Sequence, residues 1–130
     1  MAALYLDASA AAKLLLSEIE SSALRAYLGK GSRQASSALL RTELMRAARR
    51  GDRERVGDAM AILARINLRE ADDEVLGRAG EIAPDSLRTL DAIHLATASL
   101  LGPDLEALVT YDHRMIEAAR LYGLPVVSPA

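Results

Sequence analysis

Asp7, Glu43, Asp91 and Asp112 are the residues of this chain whose type and placement could do chemistry. Asp7 directly follows a short apolar run, Ala3 to Leu6, and Asp112 follows a second, Ala107 to Thr110, after one residue. Short apolar runs bounded by polar residues read as buried strands, so both acids are expected where a strand gives way to a helix. Glu43 stands inside an apolar stripe, because at about 100° per residue Leu39, Leu40 and Ala47 share its arc. Asp91 lies in the first turn of a strongly apolar segment, on the same side as His94, Leu95 and Ala98. Each acid alone has a structural explanation: a helix cap for Asp7 or Asp112, a favourable helix dipole for Asp91, a buried Arg partner for Glu43. Four together pose a different problem. Two unit charges about 4 Å apart repel by roughly 4 kcal/mol at an effective dielectric near 20, and a buried carboxylate is costly unless paired or metal-bound. Protons or a cation must offset this. Carboxylates without thiol ligands suit hard ions such as Mg²⁺ or Mn²⁺, which activate water and clamp phosphoryl oxygens during in-line displacement. The chemistry this permits is phosphodiester hydrolysis.

The elements that must position these acids alternate. Strands are expected at Ala3–Leu6, Arg33–Ser36, Ala107–Thr110 and Pro125–Val127, with a weaker one at Asn67–Glu70. Between them, helices are expected over residues 8–16 with Ser9 as cap, and over Glu18–Leu28, ended by Gly29. Further helices follow: Leu39–Arg50 capped by Ser37, one opened by Asp52 and reaching Arg65, Asp73–Ile82 before Pro84, Thr89–Leu101 capped by Thr89, and one capped by Asp112 and ended by Gly123. Short apolar strands recurring between helices predict an α/β fold, a short central parallel sheet with helices on both faces in three α/β/α layers. Such sheets take ligands beyond the carboxyl ends of their strands, where Asp7 and Asp112 fall.

A chain of 130 residues suits a single domain, residues 1–130, and its 51% hydrophobic content is enough for a core. That core must be aliphatic, since there is no Phe or Trp and only four Tyr. The absence of cysteine excludes disulfides, zinc–thiolate sites and thiol nucleophiles. A formal charge of -2 gives no bulk attraction for nucleic acid, although 14 of the 16 basic residues are Arg, the better phosphate ligand. No basic segment precedes the first apolar stretch and no apolar run approaches the ~20 residues of a membrane span. A cytoplasmic protein with no membrane association is expected.

The segments Leu4-Tyr5-Leu6-Asp7-Ala8-Ser9-Ala10, Leu39-Leu40-Arg41-Thr42-Glu43-Leu44, Leu90-Asp91-Ala92-Ile93-His94-Leu95-Ala96 and Leu108-Val109-Thr110-Tyr111-Asp112 resemble, in order and spacing, those of the PIN-domain family. Within that family the resemblance is to the VapC-type toxins of bacterial toxin–antitoxin pairs. It implies a PIN-like three-layer fold and a metal site of Asp7, Glu43, Asp91 and Asp112 that binds Mg²⁺ or Mn²⁺. It implies endoribonuclease activity on structured RNA such as tRNA, a cognate antitoxin that blocks the site, and a homodimer. It further implies that Ser9 and Thr110 support the acids.

His94 is expected either to sit satisfied in the core or to orient Asp91 three residues before it. Arg88 and Arg114, near the acids in sequence, are candidate RNA contacts, as are the arginines between Arg46 and Arg55 if that run is more than a solvated face. The apolar helices between Glu18 and Arg65 are expected to carry the antitoxin or dimer surface. The main alternative is a catalytically inactive PIN-like module that works through protein contacts alone. A receiver-type phosphoryl acceptor would need a paired acid after the first strand and a late Lys, yet Ala8-Ser9 follows Asp7 and no Lys occurs after Lys30. A haloacid-dehalogenase-type phosphatase would need Asp where Ser9 stands.

Overall fold

The computed structural model describes residues 2–130 and contains a five-stranded, wholly parallel sheet with helices on both faces. The expected fold class is therefore the observed one. The strands are β1 (Ala3–Leu6), β2 (Arg33–Ser37), β3 (Asn67–Arg69), β4 (Leu105–Val109) and β5 (Val126–Val127). They lie in the order β3-β2-β1-β4-β5. The helices are α1 (Ala8–Leu15), α2 (Ser21–Leu28), α3 (Leu39–Arg50), α4 (Arg55–Ala64), α5 (Asp73–Glu81), α6 (Thr89–Ser99) and α7 (His113–Leu121).

β1 is buried at all four positions, so its alternation serves two cores rather than one core and solvent. Leu4 and Leu6 join Ala10, Leu24, Leu40, Leu44 and Val109 on the α1–α4 side. Tyr5 joins Leu95, Leu108, Met115 and Ala118 on the α6–α7 side. The register Tyr5 with Leu108 and Leu6 with Val109 keeps the layers aligned.

From β1 the chain winds outward through β2 and β3, then returns to place β4 on the other side of β1. The boundary between β1 and β4 is thus the point where the winding reverses, and the connections on its two sides diverge to leave a crevice at the strands' carboxyl ends. Asp7 and Thr110 are the residues immediately after these two strands.

Several helix starts differ from expectation, each for a local reason. Asp7, not Ser9, caps α1: its side chain accepts from the Ala10 amide, and Ser9 spends its proton on Asp7. α2 begins at Ser21 rather than Glu18 because the Ser21 hydroxyl ties down the preceding turn, accepting from the Glu18 amide and facing the Lys13 and Leu16 carbonyls. Ala38 occupies the cap position of α3, with the Ser37 hydroxyl accepting from the Leu39 amide. Asp52 makes a turn by accepting from the Glu54 amide, and α4 starts only at Arg55. At α6 no side chain caps the first turn; Arg88 precedes it in extended backbone and Thr89 is already helical.

Candidate active site

Asp7 anchors the site. It is 3% exposed, and three donors hold it. Oδ1 accepts from the Ala10 amide at 3.0 Å and the Ser9 hydroxyl at 2.6 Å, while Oδ2 accepts from the Thr110 hydroxyl at 2.5 Å. The two hydroxyls then act as acceptors for the next loop: Ser9 Oγ takes the Tyr111 amide at 3.0 Å, and Thr110 Oγ1 takes the Asp112 amide at 3.2 Å. A hydroxyl has one proton and two lone pairs, and here each gives its proton to Asp7 and a lone pair to the β4–α7 loop. Ser9 and Thr110 thereby hold Asp7 and stitch the end of β1 to the end of β4. The Ser128 hydroxyl secures the same loop by donating to the Thr110 carbonyl at 2.5 Å. Burial pushes the Asp7 carboxyl above its ordinary range, while the Ser9, Thr110 and Ala10 donors and the nearby His94 pull it back down.

Asp112 caps α7, its Oδ1 accepting from the Arg114 and Met115 amides at 2.9 and 3.4 Å. Asp7 and Asp112 are both helix caps, and since a cap occupies only part of a carboxylate, capping leaves each acid oxygen lone pairs to offer. Asp91, in the first turn of α6, is half-buried. Burial and then the negative charges of Asp112 and Asp7 raise its carboxyl above the usual range, against weaker pulls from His94 and Arg88. The fold thereby brings Asp7 and Asp112 within electrostatic reach of Asp91, with Arg88 also near Asp91. Arg114 contributes its amide to Asp112, and its side chain is exposed with no ion pair among the described residues.

Glu43 enters from α3 by a different route. Its Oε1 lies 2.7 Å from His94 Nε2, and His94 Nδ1 lies 2.8 Å from the Tyr5 hydroxyl. His94 is fully buried and satisfied at both nitrogens. It is a core residue with a partner in the acidic group, but the acid it holds is Glu43 and not Asp91, because its ring spans from α6 to α3. Tyr5 was not singled out from sequence. The signal was a phenol in an otherwise aliphatic buried strand, since such a group needs a polar partner.

Among the described residues, no group of three or more His, Asp and Glu side chains stands together as a ready cage for an ion. The donor set still fits a hard cation. Each acid keeps acceptor capacity: Oδ2 of Asp112 and Oε2 of Glu43 accept nothing among the described residues, and Asp7 Oδ2 takes a single donor. Asp91 accepts no hydrogen bond from any described residue. Mg²⁺ commonly keeps several waters and takes only one or two carboxylates plus substrate phosphate, so a closed protein cage is not what such an ion requires.

Residues 4–121 match the family model of the PIN domain. The chain belongs to the PIN-domain family. This PIN domain is 50% identical to Ribonuclease VapC46 of Mycobacterium tuberculosis, over 131 aligned positions that cover all of both chains. It is 42% identical to Ribonuclease VapC47 of the same organism, with 97% of this chain and 96% of that one aligned. These full-length similarities place it with the VapC-type members of the family. Solved structures with the same fold include Mycobacterium tuberculosis VapC20, described as a sarcin–ricin-loop-cleaving toxin, at a TM-score of 0.77 and 16% identity over 97% of this chain and 99% of that one. A toxin–antitoxin complex from Klebsiella pneumoniae aligns at a TM-score of 0.71 and 23% identity, covering 98% of each chain.

Proposed function

We propose that this PIN domain is a toxin endoribonuclease of a toxin–antitoxin pair, hydrolysing RNA phosphodiester bonds with Mg²⁺ or Mn²⁺ at the acidic crevice. The observation that carries the reading is the convergence of Asp7, Asp91 and Asp112 where the winding of the sheet reverses, with the Asp91 carboxyl raised by burial and then by its two acidic neighbours. The names of the VapC relatives support ribonuclease activity, and the complex with an antitoxin among its structural neighbours supports an antitoxin partner.

Asp91, Asp112, Asp7 and Glu43 are the residues that would hold the ion, through the oxygens left free by capping and by His94. When bound, a divalent ion supplies charge neutralisation and a more acidic water. The chain's own part is to keep the carboxylates fixed. Ser9 and Thr110 stop Asp7 from rotating, and the α7 amides hold one oxygen of Asp112. In the overall reaction a water oxygen forms the new bond to phosphorus, one P–O ester bond breaks, and the leaving oxygen takes a proton. Arg88, near Asp91, and the exposed Arg114 are the residues that would meet phosphate oxygens of the RNA.

The alternative is a PIN-like module that binds protein without cleaving RNA, in which the acids serve as caps, as Asp7 and Asp112 do. Incubation of purified protein with RNA in Mg²⁺ or Mn²⁺, beside Asp7→Asn and Asp91→Asn, separates the two. Metal-dependent cleavage that both variants lose supports the nuclease. Cleavage unchanged in both variants refutes the assigned site, and no cleavage together with no Mn²⁺-induced rise in melting temperature supports the binding module.

A further inference from the structure

We infer that Tyr5 and His94 form a buried hydrogen-bond relay that positions the Glu43 carboxylate, making Tyr5 a positioning residue for the reaction of the acidic site. The inference rests on the nuclease reading but is carried by its own geometry. Three elements contribute one member each: Tyr5 from β1, His94 from α6 and Glu43 from α3. The hydroxyl-to-Nδ1 distance is 2.8 Å and the Nε2-to-carboxylate distance is 2.7 Å. The rings meet edge-on, with centroids 5.8 Å apart and planes at 75°. Tyr5 and His94 are closed to solvent, whereas the Glu43 side chain is 21% exposed, so the relay runs from the dry interior to the one member that opens outward.

The direction of each bond follows from the groups. A carboxylate only accepts, so Nε2 must carry the proton that meets Glu43. In the neutral imidazole Nδ1 is then a lone pair, and it must take a proton from its partner. A phenol carries its proton near neutral pH, so the Tyr5 hydroxyl can donate to Nδ1 2.8 Å away. The phenol therefore selects the tautomer that holds the carboxylate.

Glu43 needs this more than its companions do. Asp7 and Asp112 sit at helix starts, where backbone amides fix them. Glu43 lies in the second turn of α3, where backbone amides already serve the helix, and its longer side chain has more rotamers to lose. Among the described residues, the imidazole is its one hydrogen-bond partner, and it engages Oε1 alone. Phe at position 5 would fill the same space in the core, so packing alone does not call for the hydroxyl.

The test uses Tyr5→Phe, His94→Gln and His94→Leu in the full chain. Outer partners of metal ligands typically change affinity or activity about 10- to 100-fold. Tyr5→Phe is expected to raise the Mn²⁺ concentration for half-maximal thermal stabilisation about tenfold and to lower kcat similarly, with KM for RNA within about twofold. His94→Gln, which keeps an N–H at the position of Nε2, is expected to retain most of the Mn²⁺ response, and His94→Leu to lose it. In the metal-free protein, ¹⁵N shifts of His94 should report a proton on Nε2 in the wild type and a mixture of tautomers in Tyr5→Phe. Wild-type Mn²⁺ response and an unchanged tautomer in folded Tyr5→Phe would overturn the relay. Should that variant not fold, equal responses of His94→Gln and His94→Leu would overturn it instead. A wild type that cleaves no RNA counts against the nuclease reading only, because the tautomer and the Mn²⁺ midpoint are read without RNA.

Discussion

Asp91 is the acid with the least to offset it. A position in the first turn of α6 favours a negative charge by roughly 0.3–1 kcal/mol, yet its carboxyl is raised, so burial and the charges of Asp112 and Asp7 outweigh the dipole. A raised native value means the folded state binds the proton more tightly than the unfolded one. The cost is absent below the unfolded carboxylate value of about 3.9 and grows as pH rises from there through the raised native value. In EDTA, Asp91→Asn is therefore expected to melt above the wild type at pH 7.5, with the gap closing towards pH 4. A gap that stays constant across dye-monitored melts would contradict the assigned strain. Thr110 acts in the opposite sense, since its hydroxyl helps keep Asp7 charged. A hydrogen bond to a charged group contributes about 1.5–3 kcal/mol. Thr110→Val is expected to lose about that much in urea denaturation and to cleave RNA poorly, and Thr110→Ser to recover most of both.

At the scale of elements, α1 and α2 are joined through one buried hydroxyl. Ser21 is 2% exposed; its oxygen accepts from the Glu18 amide and lies 2.7 and 2.8 Å from the Lys13 and Leu16 carbonyls. Ser21→Ala leaves these backbone groups short of a partner, and a loss of about 1–3 kcal/mol is expected by denaturant titration, with the specific activity of the folded fraction unchanged. That hydroxyl also shows what sequence could and could not reveal. β1 and β4 were legible because buried parallel strands read as apolar runs, and Asp7 and Asp112 were legible because they follow those runs. Helix starts at Ser9, Glu18 and Thr89 were misread because a cap depends on which oxygen reaches which amide: the Ser9 oxygen takes the distant Tyr111 amide, and the Ser21 oxygen takes the Glu18 amide in the turn before α2. Glu43 was recognisable from its place on an apolar stripe, but its link to His94 was not, because 51 positions separate them in the chain.

At the scale of the molecule, the acids and a groove between α1, α2 and α4 occupy different parts of the sheet. The acids lie beyond the carboxyl ends of β1 and β4. The groove, of about 600 Å³, is walled by Leu14, Leu28 and Ile62 from α1, α2 and α4 and reaches Gln34 near the amino end of β2. Arg25 and Arg65 line it without an ion pair among the described residues, although Asp58 shares the lining. Leucine and isoleucine side chains beside two guanidinium groups, one of which also donates to the Leu14 carbonyl, suit a segment with aliphatic anchors and an acidic side chain, and α2 and α4 fall within the stretch Glu18 to Arg65 where the antitoxin or dimer surface is expected. The proposed antitoxin would then grip a surface separate from the chemistry, and the two functions should be separable by mutation. Rim charges act mainly on association rate and its salt dependence. The double reversal Arg25→Glu with Arg65→Glu is expected to weaken antitoxin association by about tenfold or more, roughly 1.4 kcal/mol, while RNA cleavage by the free chain stays within about twofold. Titrating antitoxin against cleavage reads both quantities in one experiment. Inhibition at unchanged antitoxin concentration would move the antitoxin off this groove, and a parallel loss of cleavage would mean that the groove and the acidic crevice are mechanically coupled through α1, whose cap is Asp7 itself.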